Sequence, residues 1–390
     1  MTKDTPTKNK ILVFNGYYLP ARKYGGPLTS MVTMIETCSD ENTFYVVAAN
    51  HDYKERTPFP GIELGWKNVG KAKVFYTETE KLDWNTKGLA EIIDTVDPDM
   101  VWMTGIVVPN IKWPAARICR KRGIPYLISP RGEVNENAFH IHYLKKRAMS
   151  LFTVMFGLYR EAYYHVTTEE EIPGLVKYFR VKRDRIFLCP NIAVPPITTD
   201  RHIQKNAGEI RCVYISRIHP IKNLLTAIQA VKLLTGKVEF DIYGPQEDKE
   251  YWAECEKEIA RAPENVQIRY CGALEPNQVA ETFMKYHCFL SPSLSENFGH
   301  AVAESLSVQC PVIILRGATP WDDIHGRAGY VSEENSERAF SCCVKEILDM
   351  DQNLYNEFLK RTREFIAERS KKDNAVSLHK QMINKICAIR

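Results

Sequence analysis

Short apolar segments alternate with helical patterns along most of this chain. Residues 10–16 (KILVFNG) are apolar up to an Asn-Gly pair, which is typical of a buried parallel strand that ends in a turn. Segments of the same character follow, with helical stretches between several of them, at 43–49, 72–77, 100–105, 125–129, 163–168 and 185–191. The first half therefore predicts a parallel sheet with helices packed on it.

A second series of the same kind begins with the strand pattern at 210–216. In the helix pattern that follows it, Leu224, Ile228, Val231 and Leu234 share one face, and Gly236 is placed to cap the helix end. Further strand patterns lie at 238–244, 266–272, 287–293 and 311–317. The fold class is thus α/β, with two Rossmann-like, doubly wound parallel-sheet domains that bind ligands at the carboxyl ends of their strands.

The segment 193–200 (AVPPITTD) is rich in proline, has no helical period and separates the two series. We expect a first domain over residues 1–195 and a second domain over 203–368. The charged helical tail has a break near Lys372 and Asp373, and its last part, 369–390, is expected to return to the first domain as a helix.

Composition narrows the functional classes. A chain of 390 residues is longer than one hydrophobic core usually supports, and its net charge of +4 is too small to indicate a nucleic-acid partner. The 11 cysteines include no C-x-x-C pair, and the N-terminal residues show no signal-peptide pattern, so we expect a cytoplasmic protein with reduced thiols. No apolar run approaches the roughly 20 residues that cross a bilayer, so we expect any membrane contact to be peripheral.

Three familiar motifs are absent or incomplete. Residues 65–72 (GWKNVGKA) approach a P-loop, but Ala72 replaces the Ser or Thr that would bind magnesium, and a strand follows where a helix is required. Asp97-Pro98-Asp99 directly precedes a strand and favours a turn over a metal site. No G-x-G-x-x-G follows the first strand, which argues against a dinucleotide dehydrogenase.

Two strand-end loops carry candidate phosphate ligands. Gly25 and Gly26 precede a helix that begins near Pro27, where glycines let backbone N–H groups approach a phosphate or sugar, although a plain loop explains them equally well. Arg217 and Lys222 follow the strand at 210–216. Cations at a helix N-terminus oppose the helix dipole, so a bound diphosphate is the better explanation of this pair.

Three more loops add candidate residues at strand ends. Gly244-Pro245 forms a turn after the strand at 238–244 that is structural or faces a ligand, and Arg131 follows the strand at 125–129. After the strand at 287–293, Glu296 lies in a loop with Asn-Phe-Gly-His, and Glu304 lies in the helix that follows. Glutamates near a helix N-terminus are commonly solvated, so this pair alone assigns no function.

In order and spacing, these loops resemble those of glycosyltransferase family 4, which comprises retaining enzymes with the GT-B architecture. SRIHPIKN (216–223) resembles the family's Arg-x4-Lys segment, and SENFGHAVAESLSVQCPVI (295–313) resembles its Glu-x7-Glu signature. GATPWDDI (317–324) is similar to a subset that makes bacterial exopolysaccharides or lipopolysaccharides. The resemblance extends over nearly the whole chain and implies two domains that face a central cleft.

The resemblance also implies residue roles. Arg217 and Lys222 would bind the donor diphosphate, Glu296 would contact the donor sugar, and Glu304 would bind the ribose hydroxyls. Arg131 stands where the family often has a catalytic histidine, and a similar arginine occurs in the exopolysaccharide subset. The remaining donor-side positions implied by the family motifs are Gly25, Gly26, Gly244, Pro245, Asn297, Phe298 and Gly299.

The implied activity is transfer of a hexose-type sugar from a nucleoside-diphosphate sugar to a hydroxyl of a glycan or lipid-linked acceptor, in bacterial surface polysaccharide biosynthesis. No metal or other cofactor is expected. Two alternatives stay open: another GT-B enzyme such as a nucleotide-sugar 2-epimerase, and a non-catalytic nucleotide-sugar-binding protein.

An anionic membrane surface is a further expected partner. Basic residues in the first half stand beside apolar ones such as Trp113, Tyr143 and Leu144, and a solvated helix face is the alternative explanation. The basic residues are Lys112, Arg117, Arg120, Lys121, Arg122, Lys145, Lys146 and Arg147.

Overall fold

A computed structural model describes residues 8–135, 139–140, 143–193, 196, 201–372 and 374–390. The chain forms two compact units, one of Met1–Ile192 with Asn374–Arg390 and one of Ala193–Asp373. Most of the expected linker, residues 194–195 and 197–200, lies outside the described residues, as do Asp373 and the N-terminal residues 1–7.

The first unit is built on a parallel sheet with one antiparallel edge strand. Within the described residues the strand order is β3-β4-β2-β1-β5-β6-β7-β8. The strands are β1 (Asn9–Phe14), β2 (Asn42–Ala49), β3 (Gly65–Val69), β4 (Ala72–Thr77), β5 (Met100–Thr104), β6 (Tyr126–Ser129), β7 (Tyr163–Val166) and β8 (Ile186–Leu188). The helices are α1 (Gly26–Cys38), α2 (Thr86–Val96), α3 (Pro109–Arg122), α4 (Tyr143–Met155), α5 (Glu171–Phe179) and, from the end of the chain, α12 (Ala375–Cys387).

Helix α12 is part of the core of the first unit. Its residues Met382, Ile383 and Ile386 are buried in one cluster with Met31 and Ile35 of α1. On the surface, Lys380 of α12 pairs with Asp40 at 2.6 Å and with Glu41 at 2.7 Å. Buried apolar contacts of this kind, more than the exposed ion pairs, hold the terminal helix in place.

The second unit is built on a parallel sheet with the order β11-β10-β9-β12-β13-β14. Its strands are β9 (Glu209–Ile215), β10 (Lys237–Tyr243), β11 (Val266–Tyr270), β12 (Cys288–Ser291), β13 (Val312–Leu315) and β14 (Gly329–Ser332). Its helices are α6 (Leu224–Lys232), α7 (Lys249–Ile259), α8 (Pro276–Phe283), α9 (His300–Ser307), α10 (Glu337–Leu348) and α11 (Gln352–Lys372). The prediction of two parallel-sheet α/β domains is confirmed.

The structure corrects three details of the expected elements. The edge strand β3 and the short strand β14 were not predicted, because β3 is half exposed and β14, with the sequence Gly-Tyr-Val-Ser, has only two apolar residues. Gly236 does not cap α6, which ends at Lys232. A Cβ at Gly236 would lie 2.3 Å from the carbonyl oxygen of Gly208, so close backbone packing explains this glycine.

Among the described residues, no helix combines the length and the apolar character that crossing a membrane requires.

Candidate active site

Three neighbouring strands of the second unit end in loops that are hydrogen bonded to one another. Strand β12 lies between β9 and β13 in the sheet. The N–H of Leu294, after β12, donates to the carbonyl oxygen of Ile221, after β9, at 2.9 Å, and the N–H of Glu296 donates to the carbonyl oxygen of Ala318, after β13, at 2.7 Å. These backbone bonds hold the β9, β12 and β13 loops in a fixed arrangement at the carboxyl end of the sheet.

Lys222 and Glu296 form an ion pair across two of these loops. Lys222 ends the short 3-10 helix Pro220–Lys222, and its ammonium lies 2.5 Å from Oε1 of Glu296. The Lys222 side chain is 13% exposed and that of Glu296 is 21% exposed, so water screens the pair only in part. The next residue, Asn223, has a φ of 54° and donates from its amide to the carbonyl oxygen of Pro292 at 3.1 Å, which fixes the lysine loop.

Arg217 lies on the same β9 loop and faces the loop after β10. Its guanidinium pairs with the carboxylate of Glu247. The β10 loop reaches this position through Gly244, whose φ is 146° and where a Cβ would lie 1.8 Å from the carbonyl oxygen of Ser216. The N–H of Ile218 then donates to the carbonyl oxygen of Pro245 at 2.9 Å. Close packing of two loops is therefore sufficient reason for the Gly-Pro pair, and its contact with a donor stays a prediction.

A tryptophan supports the loop that carries Phe298 and Gly299. Nε1 of Trp321 donates to the carbonyl oxygen of Phe298 at 2.6 Å, and the Phe298 and Trp321 rings meet at 5.8 Å between centroids. The guanidinium of Arg369 lies 4.0 Å from the centre of the Trp321 ring and also bonds to Asp323. The side chain of Trp321, held by Arg369, thus supports the backbone of 297–299, whose N–H groups are predicted to bind the donor.

Glu304 differs from Glu296 in its surroundings. It lies in the second turn of α9, and within the described part of the chain its carboxylate has no ion-pair or hydrogen-bond partner. Burial raises the pKa of Glu304 from 4.5 to about 7, because a partly desolvated carboxylate favours its neutral form. A carboxylate of this kind has its acceptor oxygens available for hydroxyl groups of a ligand.

Gly25, Gly26 and Arg131 belong to the first unit, where Arg131 bonds to the helix that begins at the two glycines. Gly25 has a φ of 69° and is the N-cap of α1. From the loop after β6, Arg131 donates to Oγ of Ser30 in α1 at 2.9 Å and to Oδ1 of Asn191 at 3.3 Å. Burial lowers the pKa of the Arg131 guanidinium to about 10, and Glu171 and Tyr24 oppose that shift. Arg131 therefore connects the second turn of α1 to the segment that follows β8.

The nine other predicted residues belong to the second unit. They are Arg217, Lys222, Gly244, Pro245, Glu296, Asn297, Phe298, Gly299 and Glu304. Sequence reasoning missed three residues that position them: Glu247 beside Arg217, Trp321 behind Phe298 and Arg369 on Trp321. Trp321 lies in the GATPWDDI segment, whose similarity to known enzymes was a usable signal, whereas nothing near Arg369 in the sequence marks its role.

Asp97 and Asp99 have structural partners at the amino ends of β1 and β5, in the middle of the first sheet. Asp97 pairs with Arg390 near the end of the chain. Oδ2 of Asp99 accepts from the N–H of Lys10 at 2.8 Å, at the start of β1. In the described ranges, no group of three or more His, Cys, Asp or Glu side chains has the geometry to hold a metal ion.

The two parallel-sheet units define a GT-B fold, the architecture shared by solved glycosyltransferase structures that match nearly the whole chain. One of these, the Anabaena protein HepE in complex with UDP-glucose, is similar with a TM-score of 0.66 and 13% identity over 97% of this chain and 100% of that chain. Residues 197–365 match the family model described as Glycosyl transferases group 1. The matched region covers most of the second unit.

Two curated relatives share part of the sequence. O-antigen chain mannosyltransferase B of Escherichia coli is 27% identical over 191 residues, which are 45% of this chain and 49% of that protein. Poly(glycerol-phosphate) alpha-glucosyltransferase of Bacillus subtilis is 26% identical over 256 residues, which are 63% of this chain and 36% of that protein. The chain thus spans about half the length of the first relative and just over a third of the second.

Proposed function

We propose that this protein is a retaining glycosyltransferase of family 4, which transfers a hexose-type sugar from a nucleoside-diphosphate sugar to a hydroxyl of a glycan or lipid-linked acceptor. The observation that carries the proposal is the arrangement in the second unit. There, a partly buried Lys222–Glu296 ion pair and Arg217 lie on joined strand-end loops. The following helix carries the carboxylate of Glu304, which has no partner among the residues that the structure describes. This unit is the part of the chain that matches the group 1 family model.

The proposed chemistry uses these groups on the leaving diphosphate. As the bond between sugar and phosphate breaks, negative charge grows on the diphosphate, and the Lys222 ammonium and Arg217 guanidinium stabilise it. Glu296, held by Lys222, accepts hydrogen bonds from sugar hydroxyls, and Glu304 accepts from the ribose hydroxyls. The acceptor hydroxyl attacks on the face that the diphosphate leaves, and a diphosphate oxygen takes its proton, so the configuration at the sugar carbon is retained.

The names of the two curated relatives support a hexose as the transferred sugar and a surface polymer as the product. One is a mannosyltransferase that acts on the O-antigen chain, and the other is a glucosyltransferase for poly(glycerol phosphate). We therefore propose a cytoplasmic role in bacterial surface polysaccharide synthesis, with glucose and mannose as the first sugars to test. The HepE complex with UDP-glucose makes UDP the first nucleotide to test.

Thermal shift with UDP, GDP, ADP and CMP identifies the base, because a ligand that binds only the folded state raises the melting temperature. Transfer is then measured as nucleotide release from UDP-glucose and GDP-mannose in the presence of acceptor extracts, and NMR of the product reports the anomeric configuration. Product with inverted configuration contradicts the retaining mechanism. Formation of a 2-epimer without transfer supports the epimerase alternative, and nucleotide binding without turnover of any donor supports the binding-protein alternative.

A further inference from the structure

Helix α4 of the first unit turns its apolar side chains outward. It buries the small polar residues Ser150 and Thr153, whose hydroxyls bond to carbonyl oxygens of the same helix. Met149 packs against the core, but four other large apolar residues face solvent: Leu144 is 82% exposed, Leu151 50%, Phe152 43% and Met155 71%. A water-soluble surface helix normally has the reverse arrangement, so this face fits an apolar environment outside the protein.

The exposed apolar side chains continue beyond α4 through ring contacts. Phe156 lies 4.3 Å from Phe152 between ring centroids, Phe152 stacks on Trp113 of α3 at 5.1 Å, and Trp113 meets the exposed Trp84 at 5.9 Å. Three separate segments of the chain therefore contribute to one apolar surface. Aromatic and aliphatic side chains in such a mixture are typical of helices that lie in the interface of a bilayer.

Basic residues flank this apolar surface, and the two helices contain no acid. Neither 109–122 nor 143–160 includes an aspartate or glutamate. Arg120 and Arg122 are neutralised by Glu161 and Asp94, at 3.3 Å and 2.6 Å, from neighbouring segments. By contrast, Arg117, Lys121, Lys145 and Arg160 are exposed and have no ion pair among the described residues.

Two of these cations lie on the same helix face as an aromatic residue that contacts the apolar surface. Arg117 and Lys121 follow Trp113 at intervals of four residues, so they continue along the same face of α3. Lys112 is different, because its ammonium bonds to the carbonyl oxygen of Val108 and burial lowers its pKa. Lys146 and Arg147 lie against the rings of Phe139 and Tyr178.

We propose that this surface adsorbs to the headgroup region of an anionic lipid bilayer. We call it the apolar–basic surface and define it by Trp84, Leu144, Leu151, Phe152, Met155 and Phe156, with the cations Arg117, Lys121, Lys145 and Arg160. The apolar side chains enter the headgroup boundary, and the cations contact lipid phosphates. This inference rests on the proposed function and adds the surface through which the enzyme would reach a lipid-linked acceptor.

Charge favours a bilayer over a second copy of the chain. In a symmetric dimer the same patch meets itself, so the unpaired cations of the two copies would face one another. Like charges brought together at an interface destabilise it, whereas anionic lipid headgroups complement them. An acidic partner protein would satisfy the charges but would need its own large apolar face, and the test below separates that outcome.

Co-sedimentation of the full chain with vesicles tests the proposal. We expect binding to phosphatidylcholine–phosphatidylglycerol vesicles, weaker binding as salt rises, and little binding to phosphatidylcholine alone. The double variant Lys121→Gln/Lys145→Gln is expected to lower the partition coefficient on the order of 30-fold, since each basic residue near the surface contributes about a fivefold factor. Leu151→Ser/Met155→Ser is expected to lower it by about tenfold or more.

Matched controls come from exposed side chains of the second unit. Leu233→Ser/Met284→Ser and Lys249→Gln/Lys257→Gln make the same chemical changes at exposed positions and should bind vesicles like the wild type. Thermal stabilisation by nucleotide, measured on every variant, checks the fold independently of lipid and of any transfer activity. A failed transfer assay therefore leaves this result intact.

Three outcomes overturn the proposal. They are equal binding to neutral and anionic vesicles, equal binding of wild type and apolar–basic variants, and no vesicle binding. In the last case, a dimer that Leu151→Ser/Met155→Ser dissociates in sedimentation velocity would assign the surface to a second copy of the chain, and a monomer would assign it to an acidic partner protein.

Discussion

The ion pair between Lys222 and Glu296 holds an ammonium group at a strand end before any ligand is bound. We expect Lys222→Ala and Arg217→Ala each to lower turnover by on the order of 10²–10³, because each variant removes a pre-organised charge that stabilises the leaving diphosphate. Steady-state rates of nucleotide release with a saturating donor measure this loss.

The control for the lysine is Lys232→Ala in the same unit. Lys232 pairs with Glu258 at 2.7 Å, and both side chains are about as buried as those of Lys222 and Glu296. Lys232→Ala should lower the free energy of unfolding and leave the turnover rate per folded molecule unchanged. Wild-type turnover in Lys222→Ala would remove Lys222 from the proposed mechanism.

The raised pKa of Glu304 predicts how stability depends on pH. Its pKa is 4.5 when unperturbed and about 7 in the folded protein, so the folded state binds this proton more tightly. The resulting stabilisation is complete below the lower pKa and is lost as pH rises through the higher one. At pH 8 the ionised, partly buried carboxylate costs on the order of 1–3 kcal/mol.

Glu304→Gln should therefore have a higher melting temperature than the wild type at pH 8 and a similar one near pH 4. The same variant should be stabilised less by the nucleotide, since it lacks the charged acceptor for ribose hydroxyls. Melting curves across this pH range, with and without nucleotide, measure both effects. A difference in melting temperature that does not change with pH would contradict the assigned pKa.

At the scale of elements, the segment after β13 positions the loop before α9. Trp321→Phe keeps the ring contact with Phe298 and removes the hydrogen bond from Nε1 to the Phe298 carbonyl oxygen. We expect the donor nucleotide to bind about five- to tenfold more weakly, because a buried bond of this kind contributes about 1 kcal/mol to holding the loop. Titration calorimetry with the nucleotide measures the change.

Trp252→Phe in α7 is the matched control, as Trp252 is buried in the core of the same unit. A role of Trp321 limited to stability predicts that both variants lower the melting temperature and that neither changes nucleotide affinity. Unchanged affinity in Trp321→Phe would therefore contradict a positioning role.

At the scale of the whole molecule, we predict that transfer needs no divalent metal. A pyrophosphate leaving group requires positive charge, and Arg217 and Lys222 supply it from the protein. The chain contains two D-x-D pairs, and both have structural partners. Asp97 and Asp99 are engaged by Arg390 and by the Lys10 N–H. In the second pair, Asp349 bonds to Lys345, and Asp351 accepts from the N–H of Leu354. Turnover in excess EDTA should stay close to the untreated rate.

The variant Asp97→Asn/Asp99→Asn provides the control, since it should lose some stability and keep its turnover. Loss of activity in EDTA with recovery in Mn²⁺ would contradict the metal-free mechanism and would make Asp97 and Asp99 candidate metal ligands.

Much of the fold follows from local pattern, and the exceptions have physical causes. Apolar runs such as 10–16 and 210–216 predict buried strands because a parallel sheet covered on both faces excludes polar residues. The half-exposed edge strand β3 lacks that signal, so its pairing with β4 depends on contacts such as Trp66 with Phe75, at 5.2 Å between ring centroids. Gly236 resembled a helix cap in sequence, but backbone packing against Gly208 decides its place.

The sequence by itself determined which chemical groups stand at the strand ends, because a motif such as SRIHPIKN fixes residue types and spacing along the chain. Only the tertiary structure decided which groups meet. It joined Lys222 to Glu296, Arg217 to Glu247 and Trp321 to Phe298, and it buried Glu304 enough to raise its pKa. Such pairings depend on the order of strands in the sheet, and burial depends on what packs around a helix. Neither quantity is encoded within a short window of sequence, and for the same reason the outward apolar face of α4 emerged only from the fold.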